Sequence, residues 1–261
     1  MPQLDSVYCG NCADVMATWH DACIDLTVTS PPYDNLRTYN GYTFDFEAIA
    51  RQLYRVTKPG GVVVWVVGDA TIDGSETLTS FRQALYFREL GFNLHDTMIY
   101  EKPALAFPDG KRYYSAFEYM FVLSRGTPST VNLIVDRNNI THGGTVHGTQ
   151  RKRDGSTKRK DCFGNITKEV GIRFNIWRIS NPGVSGMIHP ATFPEALAHD
   201  HILSWSNAGD IVLDPMCGSG TVAKMAKELG RHWIGIDISA EYCELSRRRV
   251  DGARVPLPGM V

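Results

Sequence analysis

The most constraining stretch of this chain is Ile211-Val212-Leu213-Asp214-Pro215-Met216-Cys217-Gly218-Ser219-Gly220-Thr221. An apolar run ends in an acid and a proline, two glycines follow one residue apart, and a helical pattern continues over Val222–Leu229. This order reads as strand, tight loop, helix. Glycines let a ligand approach the backbone closely, and the helix offers unpaired N–H groups at its N-terminus. Gly218-x-Gly220-x-x-Ala223 satisfies a dinucleotide fingerprint, and Asp237 ends the next strand-like run, where a carboxylate can accept two ribose hydroxyls. A ligand with a ribose and an adenine is implied. NAD and S-adenosylmethionine both answer to that description, so the loop alone does not choose between them.

The surrounding pattern is that of an α/β sheet. Val7–Cys9 and Ile24–Thr29 read as short buried strands, and Phe46–Val56 as a helix stopped by Lys58-Pro59-Gly60-Gly61. Val62–Val67 is continuously apolar, as expected of a parallel strand covered on both faces. Glu76–Leu90 predicts a helix ended by Gly91, and Asn93–Tyr100 and Tyr119–Leu123 predict strands. From about 125 to 175 the periodicity disappears, which inside a compact domain signals a functional or a solvated segment. Order returns at Asn175–Ile179, followed by a helix over Pro194–Trp205, the strand Trp233–Asp237 and a last helix over Glu241–Val250.

Charge is unevenly spread. The 261 residues carry a net −1, yet residues 141–180 hold nine bases against three acids. A basic segment on an acidic body suits a polyanion, or is simply a solvated loop. No apolar run reaches about 18 residues, so no membrane span is expected. The start, Met1-Pro2-Gln3-Leu4-Asp5, lacks the basic and apolar regions of a signal peptide, which predicts a cytoplasmic protein. Cys9, Cys12, His20 and Cys23 are spaced loosely enough for a zinc site to be imagined, but Cys9 ends a strand and Cys23 precedes one. The expectation is no metal.

A second motif, Thr29-Ser30-Pro31-Pro32-Tyr33, follows the strand Ile24–Thr29 directly. Two prolines stiffen the loop and fix the direction of its carbonyls without adding N–H groups. A small hydroxyl, a rigid carbonyl and an aromatic ring form a pocket for a flat group bearing an NH2, which describes a nucleobase amine.

Taken together, Ser30-Pro31-Pro32-Tyr33 and Asp214–Thr221 resemble the signatures of the DNA amino-methyltransferases. With the tetrad first and the cofactor loop last, the chain resembles the permuted beta subgroup. Lys58-Pro59-Gly60-Gly61, Tyr100-Glu101-Lys102-Pro103, Trp177-Arg178-Ile179, His189-Pro190 and Phe193-Pro194-Glu195 match as well. Two departures are Met216, where phenylalanine is commoner, and Gly10-Asn11-Cys12, where the family often carries an aspartate.

The resemblance implies a Rossmann-like, circularly permuted S-adenosylmethionine-dependent methyltransferase sheet with an inserted DNA-recognition region. Its catalytic half would span 1–104, the recognition insert 105–174 and the cofactor half 175–261. Ser30, Pro31, Pro32 and Tyr33 would be catalytic. Asp214, Pro215, Met216, Cys217, Gly218, Ser219, Gly220, Thr221, Asp237 and Phe193 would bind S-adenosylmethionine. Arg151, Lys152, Arg153, Lys158, Arg159 and Lys160 would hold double-stranded DNA. The target base would be flipped out of the duplex, and a companion restriction endonuclease and a homodimer are both compatible with this reading. In the family, serine in the tetrad is associated mainly with cytosine N4, and aspartate or asparagine with adenine N6. Cytosine is therefore expected, with adenine the alternative. A nicotinamide oxidoreductase and a catalytically silent DNA-binding protein remain as readings from other classes.

Overall fold

The computed structural model describes residues 1–32, 44–102, 110–180 and 194–254. They form a larger unit, 1–132 with 175–261, and a smaller one, 133–174. In the larger unit the chain runs β1 (Ser6–Cys9), α1 (Cys12–Ala17), β2 (Ile24–Thr29), α2 (Phe46–Val56) and β3 (Thr57–Val67). A short hairpin, β4 (Thr71–Ile72) and β5 (Ser75–Glu76), leads to α3 (Thr79–Leu90), β6 (Asn93–Glu101) and β7 (Phe117–Ser124). The smaller unit holds β8 (Val135–Asn138), β9 (Thr149–Arg151), β10 (Thr157–Arg159) and β11 (Val170–Ile172). The larger unit resumes with β12 (Ile176–Arg178), α4 (Glu195–Trp205), β13 (Ile211–Asp214), α5 (Thr221–Glu228), β14 (His232–Asp237) and α6 (Ala240–Asp251).

Eight strands form one sheet in the order β1-β14-β13-β2-β3-β7-β6-β12. Every neighbouring pair is parallel except those made by β7, which runs against both β3 and β6. The continuous apolar run of β3 follows from its place near the middle. Val62, Val64 and Val66 face one core with Leu197, Ile202, Val222 and Met225, whereas Val63, Trp65 and Val67 face another with Ile49, Leu53 and Phe87. Helices therefore cover both faces. No helix among the described residues is long and apolar enough to cross a membrane.

From β2 the chain passes through α2 to β3 on one side, and from β13 through α5 to β14 on the other. The strand order thus reverses between β13 and β2, the topological switch point at which α/β sheets open a crevice. This central pair joins opposite halves of the chain.

The smaller unit begins at Leu133, inside the stretch 105–174 that the resemblance assigns to the recognition insert. The reason is β7, which lies within the main sheet and carries residues 117–124 into the larger unit. Nor is 133–174 irregular. Its pairings are nested: Val135 with Ile172, Thr145 with Ile166, Thr149 with Arg159 and Arg151 with Thr157. It is one long two-stranded antiparallel ribbon, and none of its residues is buried.

Candidate active site

β13 and β2 are parallel, with Val212 beside Leu26 and Leu213 beside Thr27. Their C-terminal ends therefore meet at one edge of the sheet, and the loops that follow start side by side. One hydrogen bond ties them: the buried Thr29 hydroxyl donates to Asp214 Oδ1 at 2.7 Å. Ser30 and Pro32, just beyond, are half-buried, and Pro31 is buried. Tyr33 and Phe193 lie outside the described residues.

Asp214 also accepts the Met216 N–H at 3.2 Å, which starts the turn. The Cys217 N–H donates to the Ile236 carbonyl of β14 at 2.8 Å, and the Gly218 N–H to Asp237 Oδ2 at 2.8 Å. Ser239 N–H donates to the other Asp237 oxygen at 2.9 Å. Asp237 thus stands at the end of the strand next to β13, its carboxylate aligned by two backbone donors beside the loop. Gly220 closes the turn at φ +78°, and a Cβ there would lie 2.3 Å from Ser246 Oγ on α6. Only glycine fits both the backbone and the space.

A brace missed in the sequence supports this loop. Arg249 of α6 donates to Ser219 Oγ at 2.8 Å and Thr221 Oγ1 at 3.0 Å, and its other nitrogen donates to Glu195 of α4 at 2.5 Å. Lys224 of α5 donates to the same carboxylate at 2.7 and 2.9 Å. Burial alone would raise the Glu195 pKa, but bonds from Lys224 and Arg249 hold it below the ordinary value. Only Glu195 had a signal, as the end of Phe193-Pro194-Glu195. Its partners are 29 and 54 residues away.

Burial also sets the ionisation of the site. It pushes the Asp214 carboxyl up to about 7, against the lowering bonds from Thr29 and Met216. The Cys217 thiol is raised well above its ordinary value, and Cys12 to about 12, again by burial. Thiols held neutral are poor nucleophiles. Asn11, where the family often has aspartate, caps α1 through bonds to the Ala13 and Asp14 N–H groups at 2.8 and 3.4 Å.

A pH dependence follows. Asp214 keeps its proton in the folded state over a range in which the unfolded chain has lost it. Its contribution to stability therefore falls as pH rises from about 4 to about 7 and is level above that. Asp214→Asn retains an acceptor oxygen for Thr29 and removes the titration. Urea unfolding at pH 5 and pH 8 should show wild type losing stability relative to Asp214→Asn. Equal losses would contradict the assignment.

The donor set fits S-adenosylmethionine. A glycine turn with positive φ opens onto the start of α5, and an ionisable acceptor ends the neighbouring strand, as a ribose and an amino-acid tail require.

The six basic residues expected to meet DNA all lie at the far end of the ribbon, and all are exposed. Lys158 donates to Asp161 at 2.8 Å, and the Arg159 guanidinium stacks over Phe163 at 4.7 Å.

The chain belongs to the N6/N4 DNA methylase family, whose model matches residues 24–248. It is 60% identical over 238 residues to the orphan methyltransferase M.BamHII of Bacillus amyloliquefaciens, covering 88% of this chain and 89% of that one. Its fold matches the PvuII DNA methyltransferase (cytosine-N4-specific) with a TM-score of 0.68 at 21% identity, over 98% and 87% of the two chains. It matches M1.HpyAVI, solved as a complex with S-adenosylmethionine, with a TM-score of 0.63 at 18% identity, over 94% and 98%. The protein is a DNA amino-methyltransferase that uses S-adenosylmethionine and acts on DNA. The nicotinamide reading of the glycine loop is set aside.

Proposed function

We propose that the chain methylates N4 of a cytosine flipped out of duplex DNA, at the junction of β2 and β13. The observation that carries this reading is the Thr29–Asp214 bond, which fixes the start of the Ser30-Pro31-Pro32 loop against the start of the cofactor loop. S-adenosylmethionine, held by residues 214–221, Asp237 and Phe193, supplies an electrophilic methyl group on a sulfonium.

The chain's own task is to present the amine. Its lone pair is delocalised into the base, so two N–H bonds must be accepted in directions that draw the nitrogen towards a tetrahedral shape. The Ser30 hydroxyl accepts one and the Pro31 carbonyl the other, an orientational and electrostatic contribution. Tyr33 stacks on the flipped base. No side chain forms a covalent bond, in keeping with the neutral buried Cys217. The ribbon 133–174 is the recognition region between the catalytic and cofactor halves. The orphan designation of M.BamHII supports action without a companion endonuclease.

Serine in the tetrad favours cytosine. Methyl-labelled cofactor, duplex DNA and chromatography of the product nucleosides test this. N4-methylcytosine is expected, N6-methyladenine would move the assignment to adenine, and 5-methylcytosine would overturn the mechanism. Replacing Lys152, Arg153 and Lys160 by alanine should weaken binding to all sequences alike. The slope of log affinity against log salt should shrink by about 0.9 for each phosphate no longer neutralised. An unchanged slope would make these residues solvated charges only.

A further inference from the structure

The smaller unit has a shape that its charge explains only in part. It is a two-stranded ribbon of 42 residues with no buried side chain, and an isolated hairpin of that kind is marginal in water. Its charge is segregated along its length. Residues 148–160 hold six bases and one acid, whereas the rest of the ribbon holds three of each. Backbone bonds keep this distal part paired, from Lys160 N–H to the Gly148 carbonyl at 3.3 Å to Lys152 N–H to the Ser156 carbonyl at 2.7 Å.

Register divides the distal side chains between two faces. Cross-strand partners share a face, and alternate residues point to opposite ones. Arg151 pairs with Thr157 and Thr149 with Arg159, so two arginines and two threonines share one face. Gln150 pairs with Lys158 on the other. No carboxylate pairs with Arg151 or Arg159 among the described residues. The Arg159 guanidinium carbon lies over the Phe163 ring, 4.7 Å from its centroid, and that ring also meets His147 edge-on at 5.7 Å.

We propose that residues 148–160 lie as a ribbon in the major groove of the DNA duplex, with Arg151 and Arg159 turned to base edges and reading guanine. The major groove is about 12 Å wide and admits a two-stranded ribbon. Arginine bonds in bidentate fashion to guanine O6 and N7, and stacking on Phe163 pre-orients one of the two forks. Lys152, Arg153 and Lys160 then meet the flanking phosphates. The inference rests on the DNA methyltransferase reading and adds to it which residues choose the sequence.

The test uses the full chain. Sites methylated by wild type are first mapped on plasmid DNA, and failure to methylate any DNA would count against the proposed function itself. Synthetic duplexes with the mapped site, with one guanine pair changed, and with 7-deazaguanine in place of guanine are then compared by kcat/KM. Wild type should discriminate against the changed and deaza duplexes. Arg151→Ala and Arg159→Ala should each lose roughly tenfold to a hundredfold of that discrimination. Arg151→Lys should lose it too, because it keeps the charge without the fork. Unchanged S-adenosylmethionine binding by calorimetry shows that the larger unit of each variant is folded, and an unchanged far-ultraviolet circular dichroism spectrum shows that the ribbon is kept. Gln150→Ala should keep wild-type preference. Wild-type discrimination in all the arginine variants overturns the proposal while leaving the methyltransferase reading intact. Relaxed preference in Gln150→Ala alone overturns the assignment of the reading face.

Discussion

Replacing Asp237 by alanine is expected to weaken S-adenosylmethionine binding by roughly 1.5–3 kcal/mol, the loss of hydrogen bonds accepted by a charge. The effect has two sources. The carboxylate that would accept the ribose hydroxyls disappears, and the Gly218 and Ser239 N–H groups that it now receives lose their acceptor. Gly218 is buried, so the cofactor loop itself loosens. Asp237→Asn separates the two, since one amide oxygen still accepts a backbone N–H while the charge is gone. Calorimetry should place Asp237→Asn between wild type and Asp237→Ala. Unchanged affinity in a folded Asp237→Ala protein would remove this residue from the site.

The second large effect concerns Ser30, whose removal is expected to slow methyl transfer by roughly a hundredfold or more, comparable to the loss of one preorganised transition-state hydrogen bond. Alanine keeps the shape of the loop, because Pro31 and Pro32 still fix it and the Thr29–Asp214 bond still anchors it. The substitution deletes the hydroxyl proposed to accept one N–H of the amine. Cofactor binding should hardly change, since residues 214–221 and 237 are untouched. The loss should therefore fall on kcat rather than on the affinity for S-adenosylmethionine.

Much of the fold was legible because each central strand must hide both faces. β2 and α2 have the bounds that the pattern of apolar residues predicts, Ile24–Thr29 and Phe46–Val56, and β13 ends at Asp214 as the motif requires. The start of α3 was not legible. Ser75 and Glu76 pair with Thr71 and Ile72 instead of opening the helix, and the first turn is capped from a distance by Asp69, which accepts the Ser80 N–H at 2.9 Å. The ribbon 133–174 escaped because its strands are three or four residues long and bury no face, so no alternation marks them.

In the site, the two motifs were readable as strings because their chemistry is local: glycine for the turn, proline for the stiff carbonyl, acid for the ribose. The Arg249–Glu195–Lys224 brace was not. It depends on three helices converging, and in the sequence Arg249 is one of three consecutive arginines on α6. Asn11 is the converse case, a departure from the family motif with an ordinary structural use as a helix cap.

The proposed mechanism turns on the target amine being held by Ser30 and the Pro31 carbonyl. Single-turnover methylation of a duplex by Ser30→Ala, at saturating S-adenosylmethionine and with cofactor affinity measured on the same sample, decides whether it is. Wild-type cofactor affinity is expected, with transfer slowed roughly a hundredfold or more. Transfer at the wild-type rate would mean that the amine is held elsewhere, and the assignment of the catalytic site to the end of β2 would fail.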